Sequence, residues 1–251
     1  MEVHQHGHVH EKVKWKEYVF QFLMLFLAVF LGSLAENKRE HGIENEKEKE
    51  YMRSLVTDLE NDSSITNLYS SSIFEQVRKI DTLQDLLSSD PDKNSAQIKK
   101  CYDLSYFIRV YYTVFFNERT ISQLISSGNM RLIKTKGVAD SILEYYNGIK
   151  NVEAQKELYT EYINKCLASM YNVFDISFLR TTIDSNGTLY YANTGQYSLL
   201  STSPVELKKL TAILEVTKIS AYLFSGKLKT INDQALRLIH YLKEKYKMNK
   251  P

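Results

Sequence analysis

Four histidines stand at strict two-residue spacing near the start of the chain: His4, His6, His8 and His10. In an extended backbone all four imidazoles fall on one side. In a helix His4/His8 and His6/His10 become i,i+4 pairs, so either conformation offers nitrogen donors to a Zn²⁺, Ni²⁺ or Cu²⁺ ion. The bland alternative is a short tail that binds such ions weakly and adventitiously. The same imidazoles gain charge as pH falls towards about 6, which would draw them to anionic headgroups.

No other stretch announces chemistry. There is no His-Glu-x-x-His, no Walker loop, no dinucleotide glycine fingerprint, no Cys-x-x-Cys, no glycine-flanked serine and no Glu-x-x-His pair for a di-metal site. His41 and His240 are lone residues expected at the surface. Cys101 and Cys166 read as buried thiols, with a disulfide as the alternative in an oxidising compartment. The 18 tyrosines are numerous enough to line a pocket, but at helical spacing they read as core and boundary packing with hydroxyls reaching water. A formal net charge of +2 with dispersed lysines speaks against a nucleic-acid partner.

The element that must position everything else is the apolar run of residues 19–35, VFQFLMLFLAVFLGSLA. As a helix it measures about 26 Å, near the lower limit for a hydrocarbon core. Trp15 and Tyr18 extend it as an interfacial aromatic belt, and Lys14 and Lys16 can snorkel to the headgroups. Ala28 and Gly32 form a small-xxx-small pair that would let two such helices approach, so a homodimer in the membrane is one expectation. Ser33-Leu34-Ala35 has the form of a signal-peptide cleavage site, which leaves removal of the run as the alternative to a retained anchor. Lys12, Lys14 and Lys16 precede the run, while Lys38, Arg39, Lys47 and Lys49 follow it. A short basic tail ahead of an N-terminal anchor favours a translocated, extracytoplasmic domain at the cell membrane.

With three prolines and nine glycines, the remainder predicts a mostly α fold. The expected organisation is a tail over 1–18, a transmembrane helix over 19–35, a charged helical stalk over 36–60 and a soluble antiparallel bundle over 61–251. Within the stalk, Glu36/Arg39, Glu44/Lys47 and Glu46/Lys49 are i,i+3 pairs. Helical stripes predict segments at about 50–88, from Ser95 to Ser127-Gly128 with a break allowed at 116–120, and at 136–174. Asn147-Gly148 is the weak point of the last. Residues 176–202 break the pattern around Asn186-Gly187, a hairpin signal. Ser203-Pro204-Val205-Glu206 predicts a capped helix start, Gly226 a stop, and a final helix over 230–247.

The His-rich tail, the stretch KWKEYVFQFLMLFLAVFLGSLAENKREHGIENEKEKEYMRSLVTDL and the later NERTISQLISSGNMRLI together carry a resemblance. The chain resembles a group of uncharacterised bacterial single-span membrane proteins with a His-rich N-terminal tail and a C-terminal helical domain. The similarity is densest over residues 4–59 and 117–133. It implies a single membrane span and brings no activity, cofactor or catalytic residue with it. Members of that group often carry a large apolar residue where Ser33 stands here. The functional expectation is a membrane-anchored, non-catalytic helical module that binds a protein partner or senses a ligand. The alternatives are a metal-handling protein using the tail and an enzyme without a recognisable motif.

Overall fold

The computed structural model describes residues 15–89, 95–179, 181–183, 185–191 and 197–248. The described residues are mostly helical, as the sequence predicts, and fall into two compact units, Met1–Glu50 and Tyr51–Pro251. Helix α1 spans Trp15–Ser88 and belongs to both.

In the first unit the apolar run is uncovered. Phe20 is 64% exposed, Leu25 67% and Val29 67%. Phe22, Phe26 and Phe30 stack along one face with ring centroids 6.4 and 6.1 Å apart. Further on, Arg39 pairs with Glu36 at 2.5 Å and Lys49 with Glu46 at 2.8 Å, two of the expected i,i+3 ion pairs. Among the described residues this helix is the one long and apolar enough to cross a membrane.

The second unit has a continuous core. Met52, Leu55 and Leu59 begin its stripe on α1, and Ile73, Ile80, Leu83 and Leu87 continue it, all buried. Helix α1 is helical without interruption through Asn61-Asp62-Ser63-Ser64. The partners are α2 (Ser95–Ile108), α3 (Arg119–Ser126), α4 (Val138–Met170) and α5 (Pro204–Lys245). Helix α5 runs antiparallel to α1: Ser63 meets Asn232, Ser70 meets Ser225, and Gln84 meets Thr211. Helix α4 runs parallel to α1, with Tyr145 on Asp62 and Tyr159 on Gln76.

The fourth position of the bundle is occupied by a broken segment. The expected helix from Ser95 towards Gly128 stops at Ile108 and restarts at Arg119. Side chains of α1 hold its two ends: Gln76 binds the carbonyls of Phe107 and Val110, and Asp62 binds Asn117. Gln76 and Asp62 lie fourteen residues apart on α1, about 21 Å. The seven steps from Val110 to Asn117 must cover that distance. A helix of seven would reach only about 10 Å, whereas an extended chain reaches about 23 Å. The segment VYYTVFF is extended for this reason, and its β-branched and aromatic residues favour that conformation.

Two further differences concern glycine. Helix α4 passes through Asn147-Gly148 unbroken, and the glycine lets α5 approach closely, since a side chain at Gly148 would lie 2.6 Å from Ile231 Cδ1 and Gln234 Oε1 of α5. Gly226 does not stop a helix either: α5 continues to Lys245 and so absorbs the separate last helix the sequence suggested. Nothing lies within 4 Å of a Cβ built on Gly226. Gly226→Ala is therefore expected to stabilise the bundle by about 0.5–1 kcal/mol. A thermal melt that falls on this substitution would contradict the open space around it.

Pro204 occupies the first turn of α5 as predicted, but the Ser203 side chain makes no capping bond. The predicted hairpin is present: β1 (Thr181–Ile183) pairs antiparallel with β2 (Leu189–Tyr191). Gly187 sits at φ 79° in the intervening turn, a conformation that favours glycine.

Candidate functional site

Four of the bundle's buried polar side chains, Asp58, Asp62, Gln76 and Thr120, gather at the two ends of the extended segment. At one end Asp62 accepts three hydrogen bonds, from the Asn117 backbone N–H (2.8 Å), Asn117 Nδ2 (2.8 Å) and the Tyr145 hydroxyl (2.9 Å). One turn earlier Asp58 accepts from Thr120 Oγ1 (2.5 Å), from the Thr120 N–H (3.3 Å) and from Arg119 (3.4 Å). Ser54 reaches the same threonine at 2.9 Å. At the other end Gln76 donates to the carbonyls of Phe107 (2.8 Å) and Val110 (3.3 Å) while its Oε1 accepts from Tyr159 at 2.7 Å. Asp58, Asp62 and Gln76 are all buried.

Burial shapes the electrostatics. It pushes the Asp62 carboxyl above its ordinary value, against the lowering effect of the Asn117 and Tyr145 bonds. It raises the Tyr145 and Tyr159 phenols as well. Asp62, Asp58 and Gln76 each meet at least one main-chain group where the helix is interrupted, the Asn117 N–H, the Thr120 N–H and the Phe107 and Val110 carbonyls respectively. What the arrangement does chemically is fix backbone. The residues Asn117, Arg119 and Thr120 of the NERT stretch are its gripping half.

Surface clefts border these residues: one of about 380 Å³ at the Gln76 end is lined by Ser72, Glu75, Gln76, Lys79, Phe107 and Tyr112. A second of about 220 Å³ between α4 and α5 is lined by Ser141, Glu144, Tyr145, Gln234 and Arg237. Another of about 550 Å³ between α1 and α5 is lined by Ser70, Phe74, Tyr222, Ser225 and Lys229. None of these is lined by a cysteine or a histidine. Among the described residues no three His, Cys, Asp or Glu side chains gather as a metal site.

The residues singled out from sequence are dispersed. His4, His6, His8 and His10 lie outside the described residues. Trp15 and Tyr18, at the start of α1, are 77% and 59% exposed. Ala28 and Gly32 sit roughly 150° around the helix from the phenylalanine ladder, and nothing lies within 4 Å of a Cβ at Gly32. His41 and His240 are exposed.

Cys101 and Cys166 are free and buried. Burial pushes their thiols up to about 11 and about 12 respectively. The folded chain is therefore expected to show no fast-reacting thiol towards an aromatic disulfide reagent, and two after denaturation. A thiol that reacts within the mixing time in the native state would contradict this packing.

Three tyrosines differ from expectation. Tyr102, Tyr145 and Tyr159 are buried, and their hydroxyls bond inside the protein instead of reaching water. Tyr102 donates to the Ser198 carbonyl and accepts from the Asp175 N–H, both at 2.8 Å, and packs edge-on against Phe174. The polar grip itself was missed from sequence, although it left a signal: Asp58 and Asp62 follow Leu55 at i+3 and i+7, in phase with the apolar stripe. Comparison of the chain with protein-family models, with curated proteins and with solved structures finds no match.

Proposed function

We propose that the chain is a membrane-anchored, non-catalytic helical module whose bundle binds a protein partner. One observation carries the anchoring: among the described residues nothing buries the apolar run of α1, and a contiguous apolar surface of that size is what a bilayer covers. The non-catalytic part of the reading is supported by the use of Asp58, Asp62, Gln76 and their tyrosines, whose polar atoms are committed to one another and to backbone.

The bundle lies on the extracytoplasmic side in this reading, with the lysine-bearing tail inside the cell. Ala28 and Gly32 supply a face on which two anchors can pair. Reporter enzymes active on only one side of a membrane, fused after Pro251, test the orientation. Activity of the cytoplasmic reporter alone would overturn it. The full chain extracted in mild detergent is expected to elute above its 29.2 kDa monomer mass with a reproducible protein companion, which a second copy satisfies. A monomeric mass with no companion would overturn the partner-binding reading.

A further inference from the structure

Helix α5 carries two apolar stripes, and the bundle buries one of them. The inner stripe, which includes Leu210, Leu214, Ala221, Phe224 and Leu228, lies in the core. On the outer side Ala212, Val216, Ile219, Leu223, Gly226 and Thr230 recur at alternating steps of four and three residues, the spacing of a coiled-coil seam. All six are exposed, Val216 at 40%, Ile219 at 51% and Leu223 at 49%. A surface helix ordinarily turns polar and charged residues to this side. Here charge enters the seam only at the next position beyond each end, Lys209 and Asp233.

The charges make the seam self-complementary in one polarity. In an antiparallel pair with its two-fold axis level with Ala221, Ile219 of one copy faces Leu223 of the other, Val216 faces Gly226, and Ala212 faces Thr230. Lys209 then faces Asp233, closing the apolar layers at both ends. Beside the seam Glu215 faces Lys229, and the two Tyr222 rings meet near the axis. Lys229 and Asp233 are exposed, and Glu215 is held in place by Lys218 at 2.7 Å and Gln84 at 3.1 Å. The two-fold axis doubles both kinds of ion pair, so four oppositely charged contacts frame the apolar layers. A parallel pair would set Lys209 against Lys209 and Asp233 against Asp233, which is unfavourable.

We propose that this outer seam of α5 is a docking face and that its occupant is the same seam of a second copy, in antiparallel register. The proposal rests on the partner-binding reading and names the partner. Lys243 near the end of α5 meets Glu60 near the start of the domain, so antiparallel pairing sets the two Tyr51 residues at opposite ends of the pair. Detergent micelles leave that arrangement unrestricted.

Crosslinking of the full chain extracted in mild detergent tests it, since the two native cysteines are buried. A bis-maleimide matched to the roughly 8–10 Å spacing of packed helices is expected to join two copies of the Tyr222→Cys variant. The Gly226→Cys variant is expected to give little product, because its two cysteines lie about 15 Å apart along the helix axis. Adding Lys229→Glu to Tyr222→Cys is expected to lower the yield about tenfold, as two ion pairs become two like-charge contacts. Adding Glu215→Lys as well is expected to restore it. Because Glu215→Lys gives up the bonds to Lys218 and Gln84, Ile219→Lys serves as a second disruptor, expected to abolish the product with the thermal melt unchanged. A higher yield at 226 than at 222, no product at 222, insensitivity to Ile219→Lys, or a product containing another protein would each overturn antiparallel self-pairing. In that event, co-purification of an untagged copy with a tagged one, or of another protein, would leave the partner-binding reading standing. Absence of any companion would remove both.

Discussion

Asp62→Ala is expected to lower the unfolding free energy of the bundle by about 3 kcal/mol, the largest loss from a single polar side chain in the domain. The carboxylate is the acceptor for the Asn117 N–H, for Asn117 Nδ2 and for the Tyr145 hydroxyl. Alanine leaves these donors facing one another across a small void, with water as their only relief. The damage is expected to be local first: amide exchange should accelerate over residues 117–126 before the α4–α5 contact loosens. Asp62→Asn keeps an acceptor and is expected to cost less. The pH dependence separates the two contributions at this site. Burial raises the native carboxyl above its ordinary 3.8, so the native state holds the proton more tightly than the unfolded chain. Asp62 therefore contributes most to stability below the ordinary carboxylate range, and that contribution is lost as pH rises through its native value. The stability of the unsubstituted chain relative to Asp62→Asn is expected to fall over that interval in denaturant titrations. A rise would mean that the three donated bonds outweigh burial.

Leu25→Arg is expected to release a large part of the chain from the membrane. A charge at the centre of a helical span costs about 2.5–3.5 kcal/mol on insertion scales. A run of seventeen residues is already near the lower limit of length, so little margin offsets that cost. Leu25 is 67% exposed and belongs to the other compact unit from the bundle, so the melting temperature of the domain is expected to stay the same. Fractionation of cells expressing the two forms, followed by a thermal melt of each, reads both effects. Unchanged recovery in the membrane fraction would show that something other than this run holds the chain there.

Much of the bundle was legible because its stripes are long. Leu210, Leu214, Thr217, Ala221 and Phe224 follow helical spacing and are buried as the spacing predicts. The hairpin was legible from Asn186-Gly187. What failed did so where tertiary context overrode a local signal. Phe107, Val110 and Val114 match a helical seam, yet Gln76 and Asp62 fix the ends of that stretch too far apart for a helix. Gly226 and Gly148 look like punctuation, but each lies within a helix whose neighbours on both sides are packed. The polar grip was least legible of all. Asp58 and Asp62 read as ordinary charged helix residues until the NERT stretch arrives beside them from about sixty positions away, and Gln76 reads as an ordinary polar one until Phe107 and Val110 do.

These features give a consistent physical picture of the proposed module. The anchor offers apolar surface that nothing among the described residues covers, and buried polar side chains of the bundle hold the ends of one extended segment. The claim on which the rest depends is that the apolar run stays attached. Ser33-Leu34-Ala35 supplies the competing outcome, cleavage that would free the chain from Glu36 onwards. The most direct measurement is the intact mass of the protein recovered from membranes after washing at alkaline pH. The account predicts the full 29.2 kDa chain in the washed membranes. A shorter chain beginning at Glu36, recovered in the soluble fraction, would contradict it.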